Sequence, residues 1–328
     1  MRRRLLIYLI ITQLIICSAI IYAISNKAKI LGTSISVNGI DKENLLFSEI
    51  DDLKYFYEPE PNSTNVVHLR WKNTNGPQNP IYKINADGLN QTTNFTIEKP
   101  PNTFRIMALG DSFTFGENVN TEDNYPSQLQ NLLDKKCTGV AFQVFNLGVE
   151  GYDIKYVVER YKLRGHKYAP DLLLWFIIDD DLKRINDLLV PRSKEYAKQM
   201  KKTGEYQQLV KQGDFFPAWN KAREEIINEL GGEGSILNLQ QKFLAELNQY
   251  YKGKLVAFTF PSMDGEYKNV LRNFANSRDG IFFYDGVPNI YTNEENRLPD
   301  THPSPKGYTE IVSNLFGYLT KNKIIPCD

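Results

Sequence analysis

Two short stretches, far apart in the chain, contain the residue types of a nucleophilic site. In the first, Ser112 follows Gly110-Asp111 directly after an apolar run, residues 106–109, that is typical of a short buried strand. Open α/β folds place their sites at this carboxyl end of the strands. In the second, Asp300 and His302 lie in a loop before the last predicted helix. The sequence therefore brings a hydroxyl, an imidazole and a carboxylate towards one edge of a sheet.

These three side chains fit the roles of nucleophile, base and orienting acid. A serine hydroxyl is a poor nucleophile until a base takes its proton, and that base needs an acidic partner that fixes its tautomer and stabilises its charged form. We predict Ser112, His302 and Asp300 in these roles. Taken alone, each motif also fits a residue that caps the following helix, and this alternative stays open.

The other histidines offer no second site. His68 lies in the N-terminal part of the chain, and His166 lies beside Lys167 at the end of a predicted helix, where a basic side chain suits the helix dipole. With three dispersed histidines and no Cys-x-x-Cys pair, the sequence has no cluster of metal ligands. We therefore predict neither a metal nor a cofactor.

The elements that would position the site alternate between strand and helix. Short apolar runs predict five strands, and amphipathic runs with apolar residues spaced i, i+3, i+4 predict the helices between and after them. Such alternation is typical of a parallel, doubly wound α/β sheet. The predicted strands are residues 106–109, 140–145, 172–178, 255–260 and 281–284.

The chain divides into three parts around this sheet. Residues 27–100 combine short β-like pieces with Asn, Pro and Gly turns, and they predict a β-rich arm that covers the main domain or spaces it from a membrane. Residues 101–328 form the main domain. Within it, residues 183–252 are rich in Lys, Glu and Gln and predict a helical insertion that would shape a substrate entrance.

Residues 1–26 predict a membrane segment. An arginine cluster at residues 2–4 precedes twenty uncharged, mostly apolar residues, 5–24, and this length matches a helix that spans a bilayer with its N-terminus in the cytoplasm. Residues 23–25 would also serve as the cleavage site of a signal peptide. We predict an uncleaved single-pass anchor, with a cleaved signal and a secreted protein as the alternative. In both cases the main domain lies outside the cytoplasm.

The overall charge argues against one class of partner. Lys and Arg together number 39, as do Asp and Glu, so the chain lacks the basic excess of a nucleic-acid binder. Its 41% of hydrophobic and 24% of charged residues are those of an ordinary globular protein. We therefore predict no nucleic-acid partner.

Three separated motifs resemble those of the SGNH (GDSL) hydrolases. They are Gly110-Asp111-Ser112 after the first strand, Asn146-x-Gly148-x-x-Gly151 after the second, and Asp300-x-His302-Pro303 near the C-terminus, and they occur in the order of that family. The longer run at residues 110–116 and the lead-in at residues 84–89 are similar to a membrane-anchored or secreted bacterial branch. The resemblance covers approximately residues 80–328.

The resemblance implies both a fold and an activity. The fold is a flavodoxin-like three-layer α/β/α sandwich with a five-stranded parallel sheet. The activity is hydrolysis of carboxyl esters, with Ser112 as nucleophile, His302 as base and Asp300 orienting it. The backbone N–H groups of Ser112 and Gly151 would form an oxyanion hole.

One position departs from the family pattern. The family's third motif is Gly-Asn-Asp, whose Asn amide is a further oxyanion donor, and the matching place here is Ile178-Asp179-Asp180. An ionised Asp179 cannot donate a hydrogen bond and would repel the oxyanion, unless its neighbours Asp180 and Asp181 cause it to bind a proton. Loss of one such donor typically lowers the rate about 100- to 1000-fold. The three aspartates also fit a solvated strand end.

Two cysteines follow helices that such a fold would place side by side. In a flavodoxin-like sheet the first and last helices pack on one face and run in the same direction. Cys137 follows the first of them and Cys327 follows the last. An oxidising compartment would permit a disulfide between them, with two free buried thiols as the alternative.

We therefore expect an extracytoplasmic serine esterase that hydrolyses esters of an envelope carbohydrate or lipid. Two alternatives stay open. The same triad could transfer an acyl group to an envelope glycan, and analysis of the products with an acceptor sugar present would separate transfer from hydrolysis. The chain could also be a non-catalytic binding protein that keeps the fold, in which case no reagent would modify Ser112 covalently.

Overall fold

The structure is a computed structural model that describes residues 45–47, 56–69, 71–212, 214 and 216–327. The predicted anchor at residues 1–26 lies outside these residues and stays a prediction. Within the described part of the chain, no helix is both long enough and apolar enough to cross a membrane.

The described part of the predicted arm consists of short strands and turns and covers the main domain. β1 (Leu45–Phe47) pairs with β2 (Tyr57–Pro59), and β3 (Thr64–Val66) pairs with β4 (Ile81–Lys83), both antiparallel. Side chains of the arm, Leu89 among them, are fully buried in the core of the main domain. The boundary predicted near residue 100 therefore separates two segments that share one core.

Five parallel strands form the central sheet, which confirms the predicted fold class. Their order is β6-β5-β7-β8-β9, the flavodoxin-like order in which the first strand lies between the second and the third. Every residue of the third strand is buried, as expected for a strand covered on both faces. The strands are β5 (Thr103–Leu109), β6 (Ala141–Asn146), β7 (Leu172–Phe176), β8 (Lys254–Phe258) and β9 (Ile281–Tyr284).

Helices cover both faces of this sheet. The helices are α1 (Ser112–Phe115), α2 (Tyr125–Lys136), α3 (Ile154–Arg160), α4 (Asp179–Lys183), α5 (Asn186–Thr203), α6 (Glu205–Lys211), α7 (Pro217–Glu229), α8 (Glu233–Tyr250), α9 (Gly265–Ala275) and α10 (Pro305–Lys321). Apolar side chains of α2 and α10 pack against one face of the sheet, and those of α3, α8 and α9 pack against the other. A π-helical turn at Tyr161–Gly165 follows α3, and single 3₁₀ turns lie at Thr121–Asp123, His166–Tyr168, Ile290–Thr292 and Glu294–Asn296.

The predicted insertion at residues 183–252 is helical, but its last helix belongs to the sandwich. Leu244 and Leu247 of α8 are buried in the core beside the sheet, so α8 is a crossover helix between β7 and β8. In contrast, α5 and α7 pack on each other through a separate cluster that contains Leu189, Ala222 and Ile226. The part of this segment that extends from the sandwich is therefore α5 to α7.

A disulfide joins Cys137 and Cys327. Cys137 is the residue at which α2 ends, and Cys327 follows α10. Cys137 lies shortly before Ala141, the first residue of β6, and Ala141 pairs with Thr103, the first residue of β5. The bond therefore lies at the amino edge of the sheet. Ser112 follows the other end of β5, so the disulfide and the candidate site lie at opposite edges.

Replacing both cysteines with alanine is expected to lower the free energy of unfolding by about 2–4 kcal/mol. The two residues are 190 positions apart in sequence, so the bond constrains a long loop of the unfolded chain. Urea unfolding of the variant and of the wild type, each with and without dithiothreitol, measures the difference. The reductant should destabilise only the wild type, and a loss below about 1 kcal/mol would contradict the expectation.

Candidate active site

The turn between β5 and α1 sets the position of Ser112. Gly110 has φ +148°, and a Cβ there would lie 2.3 Å from Thr114 Oγ1 and 2.7 Å from the carbonyl oxygen of Phe176, so no other residue fits without a shift. The Asp111 side chain accepts the N–H of Phe113 at 2.9 Å and caps α1. Ser112 is thus the first residue of the helix and is not its cap.

The three side chains predicted to form a triad lie in one chain of contacts, with His302 in the middle. Ser112 Oγ is 2.8 Å from His302 Nε2, and His302 Nδ1 is 3.0 Å from Asp300 Oδ2. The last helix is capped by Ser304, whose hydroxyl accepts the N–H of Gly307, so Asp300 and His302 do not cap it. The capping alternative therefore does not describe these residues, and the chain of contacts is one that can remove a proton from Ser112.

Asp300 is held by a residue that follows the nucleophile turn. The Nδ2 group of Asn118 donates to Asp300 Oδ2, and the backbone N–H of His302 donates to Oδ1 at 3.3 Å. Asn118 is itself fixed by the arm, because its backbone N–H donates to the Tyr82 hydroxyl at 2.8 Å. Burial raises the pKa of Asp300, but the charge of His302 and these hydrogen bonds lower it by more than burial raises it. The net pKa is therefore below the ordinary value.

A second carboxylate faces the base from the other side. Glu117 is 1% exposed, and its Oε2 lies 3.5 Å from His302 Nε2, the nitrogen that also contacts Ser112. Burial lowers the pKa of His302, but Asp300, Glu117 and Asp111 raise it, and the net result is about 9. The sequence did not indicate Glu117, because a single Glu five residues after the serine forms no recognisable pattern.

The loop after β6 lies directly against α1. Asn146 Oδ1 accepts the N–H of Gly148 at 3.0 Å and holds the loop in a tight turn. A Cβ at Gly148 would lie 2.3 Å from the backbone nitrogen of Phe115, so only glycine allows this approach. Among the hydrogen bonds of the described residues, none uses the N–H of Ser112 or of Gly151. Both groups are thus available as donors, and their oxyanion roles stay predictions.

The acidic run after β7 begins a helix and is not uniformly solvated. Asp179 is the first residue of α4, and its Oδ1 accepts the backbone N–H of Asp264 at 3.3 Å. Burial is the main cause that raises its pKa. Asp181 is 1% exposed, so the reading of a solvated strand end is wrong for this residue. Within the described part of the chain, no hydrogen bond or ion pair joins Asp179 to Ser112 or His302, so its oxyanion role remains a prediction.

Arg184 links three segments of the site and is also missing from the sequence-based prediction. Its Nη2 group contacts Asp181 Oδ1 at 2.6 Å, the carbonyl oxygen of Tyr152 at 3.0 Å and Asp111 Oδ2 at 3.3 Å. Asp111 precedes Ser112, and Tyr152 follows Gly151, so the guanidinium connects the nucleophile turn to the loop after β6. Its side chain is only 8% exposed, which makes these contacts strong in a medium of low dielectric constant.

The two other histidines lie outside this constellation, as the sequence analysis expected. His68 is near Asn79 on the surface of the arm, and His166 is exposed and packs beside Tyr161. Over the residues that the structure describes, no group of His, Cys, Asp and Glu side chains is arranged to hold a metal ion.

This chain is similar in structure to several solved proteins. No family model matches the chain, and no curated protein matches it. A two-domain esterase active on acetylated mannans is 14% identical with a TM-score of 0.44, over 69% of this chain and 52% of that one. This chain thus spans about half the length of that esterase.

Two further structures are similar at the same level. The family 3 carbohydrate esterase of Clostridium thermocellum is 16% identical with a TM-score of 0.38, over 67% of this chain and 96% of that one. An acetyl xylan esterase from Butyrivibrio proteoclasticus is 13% identical with a TM-score of 0.41, over 75% of this chain and 67% of that one. Scores this low carry no inference about function, which rests on the geometry of this chain's own residues.

Proposed function

We propose that this protein is a serine esterase that hydrolyses carboxyl esters through Ser112, His302 and Asp300. The observation that carries the proposal is the continuous line of contacts from the serine hydroxyl through both imidazole nitrogens to the carboxylate, with distances of 2.8 Å and 3.0 Å. Neutral His302 takes the proton of Ser112 on Nε2 as the hydroxyl oxygen attacks the ester carbonyl carbon. Asp300 keeps the other proton on Nδ1 and stabilises the imidazolium that forms.

The rest of the reaction uses the same groups. The tetrahedral oxyanion accepts hydrogen bonds from the N–H groups of Ser112 and Gly151, and their preorganisation lowers the barrier because it costs no rearrangement at the moment of attack. The imidazolium then gives its proton to the leaving alcohol. A water molecule gives a proton to His302 and attacks the acyl-enzyme; the bond between the acyl carbon and Ser112 Oγ then breaks, the acid leaves, and His302 returns the proton to Oγ.

Labelling with a fluorophosphonate tests the proposal. The full-length chain in mild detergent is treated at pH 10, where His302 has lost its extra proton, and the intact mass is measured together with that of Ser112→Ala. A single adduct on the wild type, mapped to Ser112 and absent from the variant, is the expected result. A folded wild type that forms no adduct would contradict the proposal and would favour the non-catalytic alternative.

We further propose that the main domain lies outside the cytoplasm and that its substrate is an ester of an envelope carbohydrate or lipid. The predicted anchor at residues 1–26 supports this location, and so does the disulfide, which is typical of oxidising compartments. A fusion of alkaline phosphatase to the C-terminus would be active only outside the cytoplasm, and an inactive fusion would contradict the location. Release of acetate or of fatty acid from envelope fractions separates the two substrate classes.

Asp179→Asn is expected to raise kcat by up to about 100-fold, because it restores the amide donor of the family's third motif and removes a carboxylate that opposes the oxyanion. Asp264→Asn, which changes the neighbouring acid that donates its N–H to Asp179, is the matched control and should change kcat little. Steady-state hydrolysis of p-nitrophenyl acetate measures both variants. An unchanged or lower kcat in Asp179→Asn would show that this side chain does not face the oxyanion.

A further inference from the structure

Glu117 and Asp300 lie on opposite sides of the same imidazole. Asp300 Oδ2 is 3.0 Å from Nδ1, and Glu117 Oε2 is 3.5 Å from Nε2. The side chain of His302 is 12% exposed and that of Glu117 is 2% exposed, so water screens this pair poorly. A carboxylate at that distance attracts a proton to the nitrogen that must be unprotonated when Ser112 attacks.

The other groups around His302 reinforce this arrangement. Asp111 lies on the nucleophile turn, and its Oδ2 is 3.4 Å from Ser112 Oγ. The ring of Phe113 packs on the imidazole with 4.9 Å between centroids and excludes water from one face. Arg184 Nη2 is 3.3 Å from the same Oδ2 of Asp111, and Asn118 adds a neutral amide beside Asp300. The surroundings of the imidazole are therefore mainly acidic.

We propose that Glu117 is a positioning residue that holds a proton on Nε2 of His302, so that the imidazole accepts the proton of Ser112 only in alkaline solution. The inference rests on the proposed function where it concerns catalysis, but the titration of His302 does not depend on any activity. A Ser-His-Asp triad needs one carboxylate, here Asp300, to orient the histidine. The second carboxylate, Glu117, shifts the pH range in which His302 can act as a base towards alkaline values.

Glu117 acts on two stages in opposite directions. Before the attack it favours the protonated imidazole, which cannot serve as a base. During the attack Nε2 gains the proton of Ser112, and the same carboxylate stabilises the imidazolium that results. The midpoint of the pH profile is therefore diagnostic, whereas the rate at one pH is not, because the two effects partly cancel there.

The arrangement also predicts the pH dependence of folding stability. The pKa of His302 rises from 6.5 in an unfolded chain to about 9 in the folded protein. A group whose pKa is raised on folding stabilises the folded state fully below its unfolded value and loses that contribution as the pH rises through its folded value. The stability that Glu117 adds through His302 is thus present below pH 6.5 and is lost towards pH 9.

The experiment compares wild type, Glu117→Gln and Glu122→Gln as full-length proteins. Glu122 is a half-exposed carboxylate on the same segment, paired with Lys83, and its variant is the control for a change of net charge. The imidazole resonances are followed by NMR between pH 5 and 11, with His302→Gln used to assign the signal of His302. The pH profiles of kcat/KM and of fluorophosphonate labelling are measured in parallel.

We expect the His302 midpoint and the acid limb of both profiles to move down by about one to two pH units in Glu117→Gln and to stay in place in Glu122→Gln. Equal midpoints in wild type and Glu117→Gln would overturn the proposal. If Glu117→Gln does not fold, Glu117→Asp takes its place, because the shorter side chain withdraws the carboxylate from Nε2: a lower His302 midpoint supports the proposal, and an unchanged midpoint overturns it. A wild type that is never labelled would contradict the esterase function, but the NMR result would still decide the role of Glu117.

Discussion

Replacing Asp300 with alanine is expected to lower kcat for ester hydrolysis by about 10⁴-fold, measured at pH 10, where His302 is neutral in every variant. The variant removes the acceptor that holds Nδ1–H and the charge that stabilises the imidazolium. The rate constant of fluorophosphonate labelling should fall in parallel, because it depends on the same proton transfer. Thermal unfolding verifies that the variant is folded, and a loss below about tenfold would contradict the assignment.

The Asp300→Asn variant should be less damaged than Asp300→Ala, for a reason specific to this site. Two donors, Asn118 Nδ2 and His302 Nδ1, point at Asp300 Oδ2, whereas only the backbone N–H of His302 points at Oδ1, at 3.3 Å. An asparagine has one acceptor oxygen, and this oxygen is expected to take the Oδ2 position, where it satisfies two donors. The imidazole then keeps its productive tautomer and loses only the charge of its partner.

This argument predicts a specific dependence on Asn118. Asp300→Asn should retain at least about tenfold more activity than Asp300→Ala. Adding Asn118→Ala to Asp300→Asn removes the donor that fixes the amide, so the double variant should fall towards the level of Asp300→Ala. Equal activity of Asp300→Asn and Asp300→Ala would show that Asn118 does not orient this side chain.

The sheet and its helices could be predicted because the pattern of apolar and polar residues along the chain indicates which residues are buried. The strand Leu172–Phe176 is an unbroken apolar run, and the structure buries each of its residues between two layers of helices. In α10 the apolar residues recur at the i, i+3, i+4 spacing of a helix face, and the structure buries Tyr308, Ile311, Val312, Leu315 and Leu319 of this face and half-buries Phe316. The strand order followed from the resemblance, because periodicity alone does not determine which strands are neighbours.

Ser112 and His302 could be assigned to one site from the sequence because both lie beside the ends of strands or helices. Ser112 follows a strand, and His302 lies in a loop that precedes a helix, so the topology of a parallel sheet places both at its carboxyl edge. Glu117, Asn118 and Arg184 were missed because each is a polar residue buried by contacts between distant segments. A local pattern cannot show such burial, and a helix as short as α1 gives no periodicity from which to predict the environment of Glu117.

The sequence analysis did not predict that the arm contacts the site. Its turns and short strands predicted a cover or a spacer, but the structure shows that it supports the site directly. Asn90 Nδ2 donates to the carbonyl oxygen of Phe115 at 2.8 Å, and the Tyr57 hydroxyl donates to the carbonyl oxygen of Glu150. These bonds hold the end of α1 and the loop that leads to Gly151. Hydrogen bonds from polar side chains to the backbone of a distant segment cannot be predicted from hydrophobic periodicity.

Replacing Arg184 with methionine is expected to lower the free energy of unfolding by about 3–5 kcal/mol, because it leaves two buried carboxylates, Asp111 and Asp181, without their common cation. The pKa of Asp181 is already raised by burial and by Asp111, so in the variant this group should bind a proton more readily. The destabilisation should therefore be full at neutral pH and decrease as the pH falls. Urea unfolding at several pH values measures both effects.

Two further variants separate the loss of the ion pair from a general loss of packing. Arg223→Met removes a guanidinium that is also 3.3 Å from a carboxylate, that of Asp180, but both partners are substantially exposed, so it should cost below about 1 kcal/mol. Arg184→Met combined with Asp181→Asn should recover part of the stability, since one of the two unpaired charges is gone. If the double variant is no more stable than Arg184→Met, the guanidinium stabilises the site through its packing, and its charge does not hold the nucleophile turn against the loop of Gly151.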